Sequence, residues 1–275
     1  MKKLLIFVLL IAFVQAVPAL GLRHSVCAVK PMYTAEEKQS LCDYALWLSR
    51  NDRAAESRWL LAAVCKDWYG SGCVILHNDS LCVLTQRYVL GYASQAEVTF
   101  YLHDRTIRIS GCRVLVSDSS ELVMVSLPRN EYILPLPFAH AMYEDGDKVV
   151  AAGYPCLQGV PEWQMAHGNI SNAWLELNGH TYIRNTASAD FGSTGGPLLV
   201  RTDQGYELLG INATRQENAP ELIIATTEDD CRQFLSAPLS KPVLPTVPVD
   251  KKATKKSSKK SSKSSSGKQK KPSAK

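Results

Sequence analysis

The chain has 275 residues, a formal net charge of +5 and 45% hydrophobic residues, which is enough apolar material for a sizeable core. The charge is divided unevenly, because residues 251–275 carry eleven lysines and no acid, whereas residues 21–250 carry a net charge of −8. After the N-terminal run no segment is apolar and long enough to cross a membrane, and neither C-x-x-C nor a zinc-like Cys/His cluster occurs, so we expect a body without a transmembrane helix, a metal or a cofactor.

The N-terminus has the features of a signal peptide. Two lysines precede an apolar run from Leu4 to Val14, and small residues follow at Ala16 and Ala19. This order of charge, apolar run and small residues predicts a cleaved signal over residues 1–20. An uncleaved anchor is the alternative. The mature protein is therefore expected to be exported, either to the periplasm or to the extracellular space.

Cysteine usage favours the same compartment. All eight cysteines follow the apolar run, and an even number in an exported chain predicts up to four disulfides. The connectivity stays open. Cys73 and Cys82 are the favoured pair, because they lie on the two runs of one predicted hairpin.

Residues 21–58 form a predicted N-terminal helical segment. Thr34 is a predicted N-cap, and Glu37 follows three residues later, which is a capping-box pattern. Apolar residues then recur at helical spacing up to Asn51. A second helical stretch is expected from Asp52 to about Leu61.

From residue 59 to residue 236 the pattern changes to short strands and turns. Two β-rich runs flank His77-Asn78-Asp79-Ser80, which predicts a hairpin over residues 72–92. A closing helix is expected at Glu228–Leu235. The further predicted strands are Ala96–Leu102, Thr106–Ile109, Arg113–Ser117, Leu122–Leu127, Lys148–Ala152, Leu198–Arg201 and Glu207–Ile211. So many short strands are typical of an all-β sandwich or barrel.

Residues 237–275 contain a proline-containing linker followed by a Lys/Ser-rich tail. The composition of the tail predicts disorder. The tail lacks aromatic side chains and arginine, so its lysines can hold phosphate or carboxylate by charge alone. An anionic polymer, a membrane surface, nucleic acid and the protein's own acidic body are all candidate partners, and a purely solubilising extension is the alternative. The candidate binding residues are Lys251, Lys252, Lys255, Lys256, Lys259 and Lys260.

Seven short motifs follow one another in an order typical of proteases. They are GSGCVI (70–75), VLTQRYVL (83–90), SELVMVSL (120–127), AAGYP (151–155), HGNIS (167–171), FGSTGGPLL (191–199) and LLGIN (208–212). Their order and spacing resemble the trypsin-like serine proteases, most closely the bacterial high-temperature-requirement type. The resemblance covers roughly residues 60–225 and implies two six-stranded β-barrels with the active site between them.

The resemblance also assigns the catalytic positions, and this chain departs from the family at each of them. The family's histidine position holds Tyr88, the acid position holds Glu121 and the nucleophile position holds Thr194. A tyrosine side chain has an unperturbed pKa of about 10, so at neutral pH it is a protonated phenol and a poor base. Threonine nucleophiles usually stand at a chain N-terminus, whereas Thr194 is internal.

The backbone frame of the site matches the family more closely. Glycines stand at 192, 195 and 196, and the resemblance implies that the N–H groups of Gly192 and Thr194 form an oxyanion hole. Asp190 is a candidate for the specificity pocket. Ser193 is expected to point away from the cleft, and none of the remaining histidines has the family's position.

These residues predict an exported protease homologue that is catalytically inactive and binds a peptide or protein in the cleft between the barrels. An active endopeptidase with Thr194 as its nucleophile is one alternative. A protein that binds anionic surfaces through its lysine tail is the other. Asn78, Asn169 and Asn212 each begin a glycosylation sequon, which matters only in a host that glycosylates exported proteins.

Overall fold

A computed structural model describes residues 21–65, 69–140, 142–157, 159–177, 179–187, 192–213 and 223–248. The predicted signal peptide, Asp190 and the lysine tail lie outside these ranges. No helix within the described ranges is long and apolar enough to span a membrane.

The described chain begins with a strand and a helical hairpin. A single 3-10 turn at Leu22–His24 leads into strand β1, Val26–Met32, and two helices follow, α1 at Ala35–Arg50 and α2 at Ala54–Cys65. The predicted capping box is present: the Thr34 hydroxyl accepts from the N–H of Glu37, and the Glu37 carboxylate accepts from the N–H of Thr34. Helix α2 runs to Cys65, beyond the predicted end near Leu61, because apolar residues continue to that point.

The first half of the molecule is a closed six-stranded barrel. Its further strands are β2 (Gly70–His77), β3 (Ser80–Gln86), β4 (Gln95–Tyr101), β5 (Thr106–Val116) and β6 (Leu122–Ser126). The order around the barrel is β1-β2-β3-β6-β5-β4, and β1 closes it by pairing with both β2 and β4. The sequence boundary at residue 58/59 therefore does not separate a helical segment from the β-structure, because β1 precedes both helices.

The predicted hairpin joins β2 to β3. Asn78 and Asp79 form its turn with φ values of 46° and 58°, the left-handed conformations that a two-residue turn of this kind requires. The second run ends at Gln86, however, and not near Tyr92. Residues Arg87–Leu90 form a single helical turn, α3, which the N–H of Gly91 closes by donating to the carbonyl of Arg87 at 2.8 Å.

The second half contains a six-stranded sheet and a closing helix. The strands are β7 (Lys148–Gly153), β8 (Cys156–Leu157), β9 (Val160–Pro161), β10 (Gln164–Leu177), β11 (His180–Asn185), β12 (Pro197–Thr202), β13 (Gly205–Ile211) and β14 (Ile223–Thr226), and helix α4 is Glu228–Ser236. The order in the sheet is β13-β12-β7-β10-β11-β14, and β8 pairs only with β9. Helix α4 begins at a second capping box on Thr227, so the predicted closing helix is confirmed.

The second closed barrel is not confirmed. Between the edge strands β13 and β14 the described residues form an isolated bridge, Asn212 to Ala225, and a backbone hydrogen bond from the N–H of Ala213 to the carbonyl of Ile224 at 2.9 Å. The Thr226 hydroxyl also accepts from the N–H of Ile211 at 3.2 Å and donates to its carbonyl at 3.3 Å. These contacts bring the edges together without a continuous ladder. The described structure is thus one closed barrel and one strongly curved sheet.

Three groups of buried side chains hold these layers together. One fills the interior of the barrel, a second packs inside the curved sheet, and a third lies between the two halves. Successive residues of β1 alternate between them: Cys27 and Val29 face the barrel interior, whereas Val26 and Ala28 face the layer between the halves. Both faces of β1 are therefore buried over Val26–Val29, which is why this stretch is apolar without interruption.

Candidate functional site

The loop at residues 192–197 is fixed by hydrogen bonds from Ser71 of strand β2. The hydroxyl of Ser71 donates to the carbonyl of Gly192 at 2.8 Å, and the N–H of Ser71 donates to the carbonyl of Thr194 at 2.8 Å. The Ser71 hydroxyl in turn accepts from the N–H of Tyr154 at 2.8 Å. One buried serine of the barrel therefore ties the loop to both halves of the molecule.

Asn212 holds the other side of the same loop. Its carbonyl accepts from the N–H of Gly195 at 2.8 Å, its N–H donates to the carbonyl of Gly196 at 2.8 Å, and its side-chain amide donates to the carbonyl of Pro197 at 3.1 Å. Asn212 is 1% exposed. Glycosylation of this sequon is therefore incompatible with the fold, whereas Asn78 and Asn169 are exposed.

The backbone around Thr194 leaves two donors available. Gly195 and Gly196 use their N–H groups inside the protein, but none of the described residues accepts from the N–H of Gly192 or Thr194. These are the two groups that the resemblance assigns to an oxyanion hole. The neighbouring Ser193 is buried, and its hydroxyl donates to the Gln164 side chain at 3.3 Å, so it points into the structure.

Tyr88 lies on the helical turn α3 and is 37% exposed. Its ring packs against Trp59 of helix α2, with ring centroids 5.8 Å apart. The turn is anchored by Tyr33, whose hydroxyl donates to the carbonyl of Leu90 at 3.2 Å. The helical hairpin therefore covers one side of Tyr88.

Glu121 stands immediately before strand β6 and is exposed. Its carboxylate accepts a hydrogen bond from the hydroxyl of Tyr182 at 2.9 Å. Burial of Tyr182, and then its bond to the Glu121 carboxylate, raise the pKa of the phenol well above its usual range. The carboxylate is thus engaged by a phenol from the second half and not by an imidazole.

Tyr88 and Glu121 line the same cleft, which has a volume of about 830 Å³. The cleft lies between the barrel and the curved sheet, and Thr194 is on the neighbouring loop, outside its lining residues. Its walls are rich in rings and contain two carboxylates; these side chains are Trp59, Tyr88, Tyr92, His180, Tyr182, Asp118 and Glu121. Of the described histidines, only His180 lines it.

Sequence reasoning missed Trp59, His180 and Tyr182 as parts of this site. Tyr182 and Glu121 are 61 residues apart in the chain, so no spacing rule connects them. One usable signal was present, because Asn178-Gly179 stands between two alternating runs and is a strong hairpin signature. That hairpin carries both His180 and Tyr182.

All eight cysteines are unbridged in this structure. The favoured pair is not directly opposed, because Cys73 faces Leu84 and Cys82 faces Ile75 across the β2–β3 ladder. Diagonal neighbours of this kind lie about 7–8 Å apart, which is beyond the usual Cα separation in a disulfide. The register therefore argues against a Cys73–Cys82 bridge. Within the described residues, no group of three His, Cys, Asp or Glu side chains is placed to hold a metal ion.

Comparisons with known proteins agree with the order of motifs. The model of the trypsin-like peptidase domain matches residues 70–211, just over half of the chain. The fold is similar to that of the Rv3671c protease from M. tuberculosis in its active form, with a TM-score of 0.53 and 19% identity over 83% of this chain and 84% of that one.

Two further structures show the same fold at similar distance. The HtrA-type protease AlgW, solved with a tripeptide, has a TM-score of 0.53 and 18% identity, and the match covers 77% of this chain and 58% of that one. The serine endoprotease from Yersinia pestis has a TM-score of 0.50 and 19% identity, over 77% and 62% of the two chains. A search of curated protein sequences gives no significant match. On the family match, this chain belongs to the trypsin-like peptidase domain family.

Proposed function

We propose that this protein is an exported trypsin-like protease homologue that does not cleave peptides and instead binds an extended peptide or protein segment in the cleft. The observation that carries the proposal is a phenol at the family's base position and a second phenol that is hydrogen-bonded to the Glu121 carboxylate. Tyr88 stands where the family has its general base. The Tyr182 hydroxyl donates a hydrogen bond to the Glu121 carboxylate, which would orient that base.

The chemistry of the site supports inactivity. A hydroxyl attacks a carbonyl only when a base removes the hydroxyl proton, and such a base works best when its pKa lies near the surrounding pH. No imidazole stands between Glu121 and Thr194 at the family's position, and Ser193 cannot substitute because its hydroxyl points into the structure. Thr194 also adds a methyl group and a restricted χ1 at a position that is a serine in the family.

The shape of the site supports binding. The loop at residues 192–197 keeps its hydrogen-bonded frame, and the cleft beside it has a volume of about 830 Å³ with aromatic walls. Clefts of roughly 300–1,000 Å³ with apolar walls and a few polar groups are typical ligand sites. Peptide recognition by backbone hydrogen bonds and side-chain pockets requires no catalytic triad.

Probe labelling and peptide turnover test inactivity directly. The wild type, Thr194→Ala, Thr194→Ser and the pair Tyr88→His with Thr194→Ser are compared by fluorophosphonate labelling and by hydrolysis of a fluorogenic peptide. We expect no labelling of the first three. A site without its triad leaves only roughly 10³–10⁴-fold acceleration over water, below detection in a casein assay.

The structure adds one variant to this series. In the Tyr88→His, Thr194→Ser protein, Tyr182 still donates to Glu121, so the new imidazole competes with the phenol for the carboxylate. Replacing Tyr182 by Phe as well removes this competitor for the Glu121 carboxylate. We therefore expect the triple variant to hydrolyse the peptide faster than the double variant. Wild-type turnover that disappears in Thr194→Ala would show the alternative, an active endopeptidase with Thr194 as its nucleophile.

Export is tested by mass. Intact-mass measurement of protein recovered from the exported fraction is expected to show loss of the first 16 to 20 residues. Alkylation before and after reduction then counts the disulfides, of which we expect several. Eight free thiols in the exported protein would contradict disulfide formation, and recovery of the uncleaved chain with membranes would contradict export.

A further inference from the structure

The last described residues run along the rim of the cleft. Ser240 pairs with Val116 at the end of β5 through two backbone hydrogen bonds of 2.8 and 2.9 Å. Asp118, two residues after Val116, lines the cleft. Farther along, Leu244 packs against the helical hairpin in the same cluster as Tyr92, and Tyr92 also lines the cleft.

The cleft has the chemistry of a cation site. The rings of Trp59 and Tyr88 are 40% and 37% exposed, and the carboxylates of Asp118 and Glu121 share the same walls. An ammonium group over an aromatic face gains about 0.5–1 kcal/mol at exposed sites, and nearby carboxylates add attraction. A lysine stem also covers apolar ring surface while its charge stays in water.

Two basic side chains also line the cleft. The Arg87 guanidinium donates to the carbonyl of Ser117 at 3.4 Å, and His180 is exposed at the rim. The two carboxylates still outnumber the one arginine. The balance of the cleft is therefore acidic, in agreement with the net charge of −8 on residues 21–250.

The chain carries its own ligand of matching charge. Residues 251–275 hold eleven lysines and no acid, and the first of them follows Pro248, the last described residue, by only three positions. A segment tethered beside its site has an effective concentration of about millimolar, so contacts with a dissociation constant below about a millimolar are largely occupied. We propose that the lysines of residues 251–275 bind in cis to the aromatic and acidic cleft.

This proposal rests on the proposed function, because it takes the cleft to be a peptide site and names lysine-bearing peptide as its ligand class. It also gives the tail a role in regulation. An external peptide must displace the tail, and salt weakens the tail's hold because its attraction is mainly ionic.

Zero-length carbodiimide cross-linking of the purified full chain tests the proposal. This reagent joins lysine amines to carboxylates in direct contact, and mass spectrometry locates the joined residues. We expect the tail lysines to be joined mainly to Asp118 and Glu121, and we expect these products to diminish as salt is raised. A mixture of isotopically heavy and light chains is expected to give cross-links within one chain.

Matched controls separate the cleft from general surface charge. Glu131 and Asp203 are exposed acids that do not line the cleft. Glu131→Gln is expected to leave the tail products unchanged, whereas Trp59→Ala is expected to reduce those at Glu121 at least threefold. Tail cross-links spread evenly over Glu131, Asp203 and the cleft acids would overturn the proposal, as would cross-links found only between chains.

A second measurement distinguishes this proposal from the proposed function. An external lysine-containing peptide is titrated against the wild type and a full chain with all eleven tail lysines replaced by glutamine. We expect about tenfold tighter binding to the variant, because its tail no longer competes. Equal, saturable binding to both forms would refute the tail's role and keep the peptide site. Cleft-directed cross-links without any external binding would keep the tail's role and refute a general peptide site.

Discussion

The loop at residues 192–197 and the wall that carries Tyr88 and Glu121 belong to one site, but they are held by different means. The loop is held at its own backbone N–H and carbonyl groups, which bond to main-chain and side-chain groups of Ser71 and Asn212. The wall is fixed by side chains, because Tyr88 packs on Trp59 and Glu121 accepts from Tyr182.

The difference explains how the loop geometry can be kept while the side chains of the wall vary. Ser71 and Asn212 connect the loop to the barrel and to strands of the curved sheet, so the loop geometry is part of how the two halves join. Of the three positions that the resemblance assigns to the triad, Glu121 also joins the halves, because its carboxylate accepts from the Tyr182 hydroxyl. A change of side chain at Tyr88 or Thr194 leaves the hydrogen bonds of Ser71 and Asn212 in place.

The largest expected effect comes from the loop. Gly195 has φ +87°, and a Cβ at this position would overlap the Thr85 hydroxyl and the Ser71 carbonyl. We expect Gly195→Ala to lower the free energy of unfolding by about 2–5 kcal/mol, the sum of left-handed strain and overpacking. Urea unfolding measures it.

Gly159→Ala is the matched control for this loss. Gly159 has φ +84°, and a Cβ there would meet nothing within 4 Å, so only the backbone strain of about 1–2 kcal/mol remains. If both substitutions lower the free energy of unfolding by the same amount, the loop is not tightly packed between the two halves. The contrast between the two regions then fails.

Local sequence signals predicted the parts of the fold that depend on few residues. The capping box at Thr34, the tight turn at Asn78 and Asp79 and the closing helix at Glu228 are all present. Strand β10 was missed although it is long. Its side chains alternate between partly buried and exposed and include many polar groups, so it lacks the apolar character of the barrel strands.

The site could be predicted only where it resembles a linear motif. The order of motifs led to Tyr88, Glu121 and Thr194, and the structure brings the first two to one cleft. It could not lead to Trp59 or Tyr182, because their contacts join distant parts of the chain. Closure of the second sheet also depends on pairing between distant strands, which short motifs do not specify.

A prediction of intermediate size concerns Tyr33, which anchors the helical turn α3 that carries Tyr88. The Tyr33 hydroxyl donates to the carbonyl of Leu90 in α3, and burial raises the pKa of Tyr33 to about 12. An unfolded tyrosine has a pKa of about 10, so the folded state holds this proton more tightly. The stabilising contribution is complete below pH of about 10 and is lost as pH rises towards about 12.

We therefore expect the free energy of unfolding of the wild type to fall by about 1–2 kcal/mol more than that of Tyr33→Phe between pH 10 and 12. Urea unfolding at several pH values measures the difference. Tyr132→Phe, at a position 38% exposed, is the control and should follow the wild type. Parallel pH profiles for the wild type and Tyr33→Phe would show that this phenol is not buried against α3 in the folded protein.

The smallest effect tests the contact between Tyr88 and Trp59. Aromatic pairs are worth about 0.5–1.5 kcal/mol beyond their buried area, and this pair has ring centroids 5.8 Å apart in a tilted arrangement. A double-mutant cycle with Trp59→Ala and Tyr88→Ala should give a coupling in that range, since both variants keep the rest of the wall. The stacked pair Tyr143 and Trp174, 5.6 Å apart and outside the cleft, provides a reference cycle. Additive losses at Trp59 and Tyr88 would mean that the side chains of the wall do not support one another. The helical hairpin would then have no part in holding Tyr88, and the two regions would differ in chemistry alone and not in how they are held.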